Sequence, residues 1–162
     1  MDNLPFDWPI IGFGCAKDVH YGNALVCFHN ADQFGRCYRR DLERAAWTGM
    51  VLVDNAGRSW EITGVRRRHD LSIGKRISLF LSREYSIEVD LAEREPISFQ
   101  ELMMRVIETI DANPHEWRDD EAIAGESGPP RDEMEMLEEI KDRVRKAQSV
   151  DELIQFGEIY PA

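Results

Sequence analysis

The chain has 162 residues, 43% hydrophobic and 31% charged, enough for one domain with a sizeable core. No run of about 18 apolar residues occurs, so a membrane-spanning helix is not expected. The formal net charge is −11, with 15 acidic against 6 basic residues over 111–162 and 16 against 14 over 1–110; such a surface repels phosphate backbones and anionic lipid, which argues against nucleic-acid or membrane partners.

Residues 1–23 are rich in Pro, Gly and Asn and read as an irregular arm with one short apolar piece, at residues 10–13. Acids at Asp2 and Asp7, and no basic residue ahead of Ile10, do not suit a secretory signal. Cys15, Cys27 and Cys37 form an odd set without a C-x-x-C pair, as expected of reduced thiols in a cytoplasmic protein. Residues 24–29, ALVCFH, predict a short strand. Phe34, Cys37, Tyr38, Leu42, Ala45 and Ala46 then fall at helical spacing, with Asn30 as N-cap, Gln33 completing a capping box and Gly49 ending the helix. Gly35 inside it is unfavourable.

MVLVD, NAG and RSWEITGV, over residues 50–65, predict a hairpin with Trp60 and Ile62 on one face and Glu61 and Thr63 on the other. Ile77, Leu79, Leu81, Tyr85, Ile87, Val89 and Leu91 share one parity, which predicts a half-buried antiparallel strand, or a hairpin turning at 82–84. ISFQELMMRVIETI, residues 97–110, predicts a helix capped by Ser98 and Glu101, with Phe99, Leu102, Met103, Val106, Ile107 and Ile110 as its apolar stripe and Pro114 at its end. RDDEAIAGESGPP follows as a polar linker. Two helices close the chain, at about 132–147 and 149–157, the second capped by Ser149 and Glu152. The expected fold is α+β: an antiparallel sheet of about four to five strands with helices packed on one face and a helical C-terminal region. In domain terms that is an arm at 1–23, an α+β core at 24–112, an acidic linker at 113–131 and helices at 132–162 packed on the core, one domain overall.

Chemistry is sparsely signalled. In Arg66-Arg67-Arg68-His69, alternation along a strand sends Arg66 and Arg68 to one face and Arg67 and His69 to the other. Glu84, Glu88 and Asp90 are placed to pair with them across the sheet, so balanced charge is expected rather than a grip on nucleic acid. Cys27 and His29, two apart on a strand, would share a face as a nucleophile and base, which makes a small cysteine-dependent enzyme one alternative; packing of Cys27 as a small apolar residue is the other reading. His20, His69 and His115 match no zinc spacing, and GFGC at 12–15 lacks the third glycine of a nucleotide loop. No catalytic residue, cofactor or metal is expected.

The remaining signal is acidic. HEWRDDEAIAGES sets Trp117 among Glu116, Asp119, Asp120 and Glu121, and DEMEMLEEIKD opens the next helix with Asp132, Glu133 and Glu135. These eight residues are the expected partner-binding face, an aromatic anchor within a field that steers basic partners inward. The alternative is a solvated face complementing a helix dipole.

Three stretches, ALVCFHNADQFGRCYRRDLERAAWTGMVLVDNAGRSWEITGVRR, ISFQELMMRVIETI and VRKAQSVDELIQF, cover most of 24–157 and together resemble immunity proteins of bacterial toxin–immunity pairs. The resemblance implies a non-enzymatic inhibitor that plugs or covers the domain of a cognate toxin; the acidic C-terminal charge adds the expectation that this toxin has a basic active-site cleft, which the protein would occlude. The resemblance implies no particular functional residue, and the Gly/Pro-bearing segment at 122–130 departs from it. A non-enzymatic adaptor subunit is a further alternative.

Overall fold

In a computed structural model the structure describes residues 4–14, 25–43, 45–69, 73–82, 84–112, 114 and 133–157. The chain divides into two compact units, Met1–Ile97 and Ser98–Ala162. The first is built on strands β1 (Ile10–Phe13), β2 (Val26–Phe28), β3 (Arg36–Tyr38), β4 (Val51–Asp54), β5 (Ser59–Arg67) and β6 (Glu84–Arg94), with helices α1 (Ala31–Phe34), α2 (Arg39–Glu43) and α3 (Ile73–Ser82). The second holds α4 (Phe99–Ala112), α5 (Glu133–Lys146) and α6 (Val150–Gly157).

The class is α+β, but the sheet has six strands rather than four or five, in the order β2-β1-β4-β5-β6-β3, every neighbouring pair antiparallel. One extra strand comes from the N-terminal arm. All four residues of β1 are buried, with Ile10 between Phe28 and Asp54 and Ile11 between Cys27 and Val53. Four residues are too few to show a period, and their partners lie distant in sequence. Gly12 is where β1 comes closest to its surroundings: a Cβ there would sit 2.6 Å from Met50 Sδ and 3.3 Å from Leu52 Cδ2.

The other extra strand interrupts the helix expected after Asn30. Asn30 does cap α1, its Oδ1 accepting from Asp32 and Gln33 N–H at 3.0 Å each, and Gln33 Oε1 reaches back to His29 N–H at 2.7 Å. The chain leaves the helix at Gly35, whose carbonyl accepts from Ile87 N–H at 3.0 Å, and Arg36–Tyr38 pairs along β6 as the sheet's edge. Burial of Cys37 opposite Tyr85 outweighs local helical spacing. Residues 77–82, expected as strand or as the first arm of a hairpin turning at 82–84, belong to α3; in so short a stretch Leu79 is inward under either period, and β6 begins only at Glu84.

The expected hairpin forms β4 and β5, with Trp60 and Ile62 buried. Between Ile62 and Gly64 the β5–β6 register shifts, so that Ile62 faces Leu91 but Gly64 faces Asp90. This bulge inverts the alternation: beyond it Val65 and Arg67 continue the Trp60–Ile62 face, and Arg66 turns to the opposite one. The core of this unit gathers Phe6, Ile10, Phe28, Phe34, Met50, Leu52, Trp60 and Ile62, with ring centroids 4.9 Å apart for Phe6–Trp60 and 5.1 Å for Phe28–Phe34 in edge-to-face contact.

Asp54 organises the hairpin's corner. Its fully buried carboxylate accepts from the N–H groups of Asp7, Ala56 and Arg58 at 3.0, 3.0 and 2.9 Å, and from Arg58 Nε at 2.9 Å and Nη2 at 2.7 Å. Asn55 N–H in turn donates to Asp7 O at 3.0 Å, so the arm is stitched to the turn from both sides.

In the second unit the caps are where expected: Ser98 Oγ accepts from Glu101 N–H and Ser149 Oγ from Glu152 N–H, each at 3.2 Å. Leu102, Val106 and Ile110 of α4 and Met136, Leu137 and Val144 of α5 are buried. Lys141, with a side chain only 12% exposed, joins α5 to α4 by donating to Asp111 at 2.8 Å, and it also pairs with Glu138. The linker at 113–131 lies, apart from Pro114, outside the described residues.

Candidate functional site

Of the expected partner-binding residues, Glu116, Trp117, Asp119, Asp120, Glu121 and Asp132 lie outside the described residues. Glu133 opens α5, and Glu135 is exposed in its first turn, beside Met134, which is 67% exposed. Among the described residues Glu135 has no cationic partner. Further along, the acids of α5 are answered locally: Arg143 binds Glu139 at 2.7 Å, Arg145 binds Asp142 at 2.6 Å, and Lys141 takes Glu138. Surplus negative charge on α5 therefore sits towards its N-terminal turns, where it also complements the helix dipole. Residues 98–162 hold 17 acidic and 7 basic side chains, net −10, against 14 and 13, net −1, for residues 1–97.

The arginine run resolves into different environments. Arg66, turned outward by the bulge, donates to Glu88 Oε2 at 3.0 Å and to Asp90 Oδ2 at 2.6 Å, the cross-strand pairing expected. These carboxylates hold its guanidinium pKa above the ordinary value, the Asp90 hydrogen bond contributing most. Gly64 makes room for the arrangement, since a Cβ there would lie 3.0 Å from Asp90 Oδ2. Glu84 pairs with Arg36, at 3.9 Å. Arg67 lies over the Tyr85 ring, 4.1 Å from its centroid, a cation–π contact at an exposed strand end. Arg68 donates its N–H to Ser86 O at 2.8 Å.

Cys27 is half-buried in β2 opposite Ile11, but β2 ends at Phe28. His29 lies past the strand, where period-2 alternation no longer relates it to Cys27. Among the described residues no group of three or more His, Cys, Asp or Glu could hold a metal ion, and no helix is long and apolar enough to cross a membrane.

Sequence reasoning overlooked Phe80. It stands 82% exposed on α3, one turn after exposed Arg76, whose Nη2 donates to His69 O at 2.6 Å. The available signal was its place on the polar parity of the expected strand, odd for a large aromatic. Comparison with protein-family models, curated proteins and solved structures yields no significant match, so no relative's site can be mapped onto these residues.

Proposed function

We propose that this protein is a non-enzymatic, cytoplasmic immunity protein that binds a cognate bacterial toxin and occludes its active site through the acidic surface of the helical unit. The observation supporting it most is the segregation of charge: −10 on residues 98–162 against −1 on residues 1–97. A field concentrated on one unit accelerates encounter with a basic cleft and orients the collision. Exposed Met134 beside Glu135 supplies adaptable apolar contact at the acidic end of α5, and Trp117 supplies the anchor. The carboxylates stand in for the anionic substrate of the toxin. No cofactor or metal takes part.

The test pairs the protein with the product of the gene encoded beside its own, read by rescue of growth on co-expression and by calorimetry. Trp117→Ala is expected to weaken binding by about 2 kcal/mol or more, roughly 30-fold. Glu135→Gln should cost only tenths of a kcal/mol and act mainly on the association rate. Unchanged affinity in both variants would remove this face from the interface, and turnover of a substrate by the protein alone would end the proposal.

A further inference from the structure

Most described arginines of this acidic chain are matched to carboxylates, among them Arg36, Arg39, Arg58, Arg66 and Arg94. Arg67 and Arg76 are not: among the described residues neither has a carboxylate partner, and both are exposed. Each is set beside an aromatic ring, Arg67 over Tyr85 and Arg76 a turn before Phe80 on the same helix face. The hydrogen bond from Arg76 to His69 O ties α3 to the end of the strand bearing Arg67. Residues 66–83 carry six basic side chains and one acidic one, the reverse of the chain's overall balance.

The geometry points to a docking surface on the sheet unit, formed by Arg67, Arg76 and Phe80, for an acidic polypeptide segment that carries an apolar side chain. It is separate from the acidic face and does not rest on the immunity reading. Charge complementarity selects an anionic occupant, and Phe80 requires that the occupant also offer apolar cover, because an exposed phenyl gains free energy only by leaving water. A polypeptide fits better than nucleic acid. Tyr85 is already covered by Arg67, and the chain's net charge of −11 opposes an extended polyphosphate. Local carboxylates beside one apolar residue match two cations and one exposed ring.

The test is titration of the isotope-labelled full chain, followed by NMR amide shifts, with a short Asp/Glu-rich peptide bearing a central Leu-Phe pair. Its Ser-Ser counterpart and oligothymidylate run in parallel, and sedimentation velocity monitors the protein alone. The expected result is saturable shifts clustered at 66–69 and 74–82, weakened about tenfold by Phe80→Ser or by the Ser-Ser peptide, as for loss of a central anchor. Arg76→Gln should weaken binding severalfold, and Arg66→Gln, whose side chain is held by Glu88 and Asp90, should leave it unchanged. Absence of saturable shifts, tighter binding of oligothymidylate, or self-association lost in Phe80→Ser would each overturn the proposal, the last by naming a second copy as occupant. All these side chains are exposed, so unaltered thermal melts will show that the variants fold.

Discussion

The two units hold their charges differently. In the sheet unit, acids and bases far apart in sequence are brought together by strand pairing: Arg66 to Glu88 and Asp90, Arg94 to Glu61, Arg36 to Glu84. In the helical unit the pairs run mostly along single helices, three or four residues apart, as in Arg105–Glu101, Arg143–Glu139 and Arg145–Asp142. A sheet can neutralise itself because its register chooses partners across the fold. A helix matches mainly its own neighbours, Lys141–Asp111 being an exception, and a composition of 17 acids to 7 bases leaves a surplus however they pair. Near-neutrality of one unit and the strong field of the other thus follow from composition, while element type decides where each charge finds its partner.

Substitutions can break or sharpen this contrast. The largest effect is expected at Asp54, where the sheet unit gathers the donors of its own turn and one distant donor, Asp7 N–H, on a buried carboxylate. Asp54→Ala strands the N–H groups of Asp7, Ala56 and Arg58 and should cost about 3 kcal/mol in urea denaturation. A loss under about 1 kcal/mol would mean that the arm and hairpin hold without it. Next is Gly12→Ala, which forces a methyl against Met50 Sδ in the same unit and should cost about 2 kcal/mol.

In the helical unit, Lys141→Met removes the pair that bridges α4 and α5 and should cost about 1 kcal/mol at neutral pH. The pKa of Lys141 is raised above 10.5, first by its hydrogen bond to Asp111 and then by that to Glu138. A raised folded-state pKa means that the folded protein holds this proton more tightly than the unfolded chain. Its contribution is therefore complete below pH 10.5 and fades as pH climbs through the elevated value. Above neutral pH, melting temperatures of wild type and variant should converge only in that alkaline range. Convergence at neutral pH would show the bridge to be idle. The smallest effect belongs to Arg66→Gln: an exposed ion-pair loss, detectable at low ionic strength and vanishing in high salt.

Local chemistry was legible in the sequence. Asn30, Ser98 and Ser149 cap helices, though the one after Asn30 is only four residues long, and in the expected stripe of α4 Leu102, Val106 and Ile110 are buried while Phe99, Met103 and Ile107 are half-buried. The β4–β5 hairpin and the pairing of Arg66 with Glu88 and Asp90 were legible too. Most of the expected binding face falls outside the described residues, and within them only Glu135 can be placed as an exposed side chain, on α5.

What the amino-acid order determined by itself was whatever neighbours within about one helical turn decide: caps, stripes, turns and the uneven distribution of charge. The tertiary structure alone decided the rest. It drew Ile10–Phe13 into the middle of the sheet, broke one expected helix to complete its edge, wound residues 73–82 into α3, and used a bulge at Thr63 to turn Arg66 towards its acids and leave Arg67 on Tyr85. Those outcomes depend on partners dozens of residues away, where burial and register outweigh local preference.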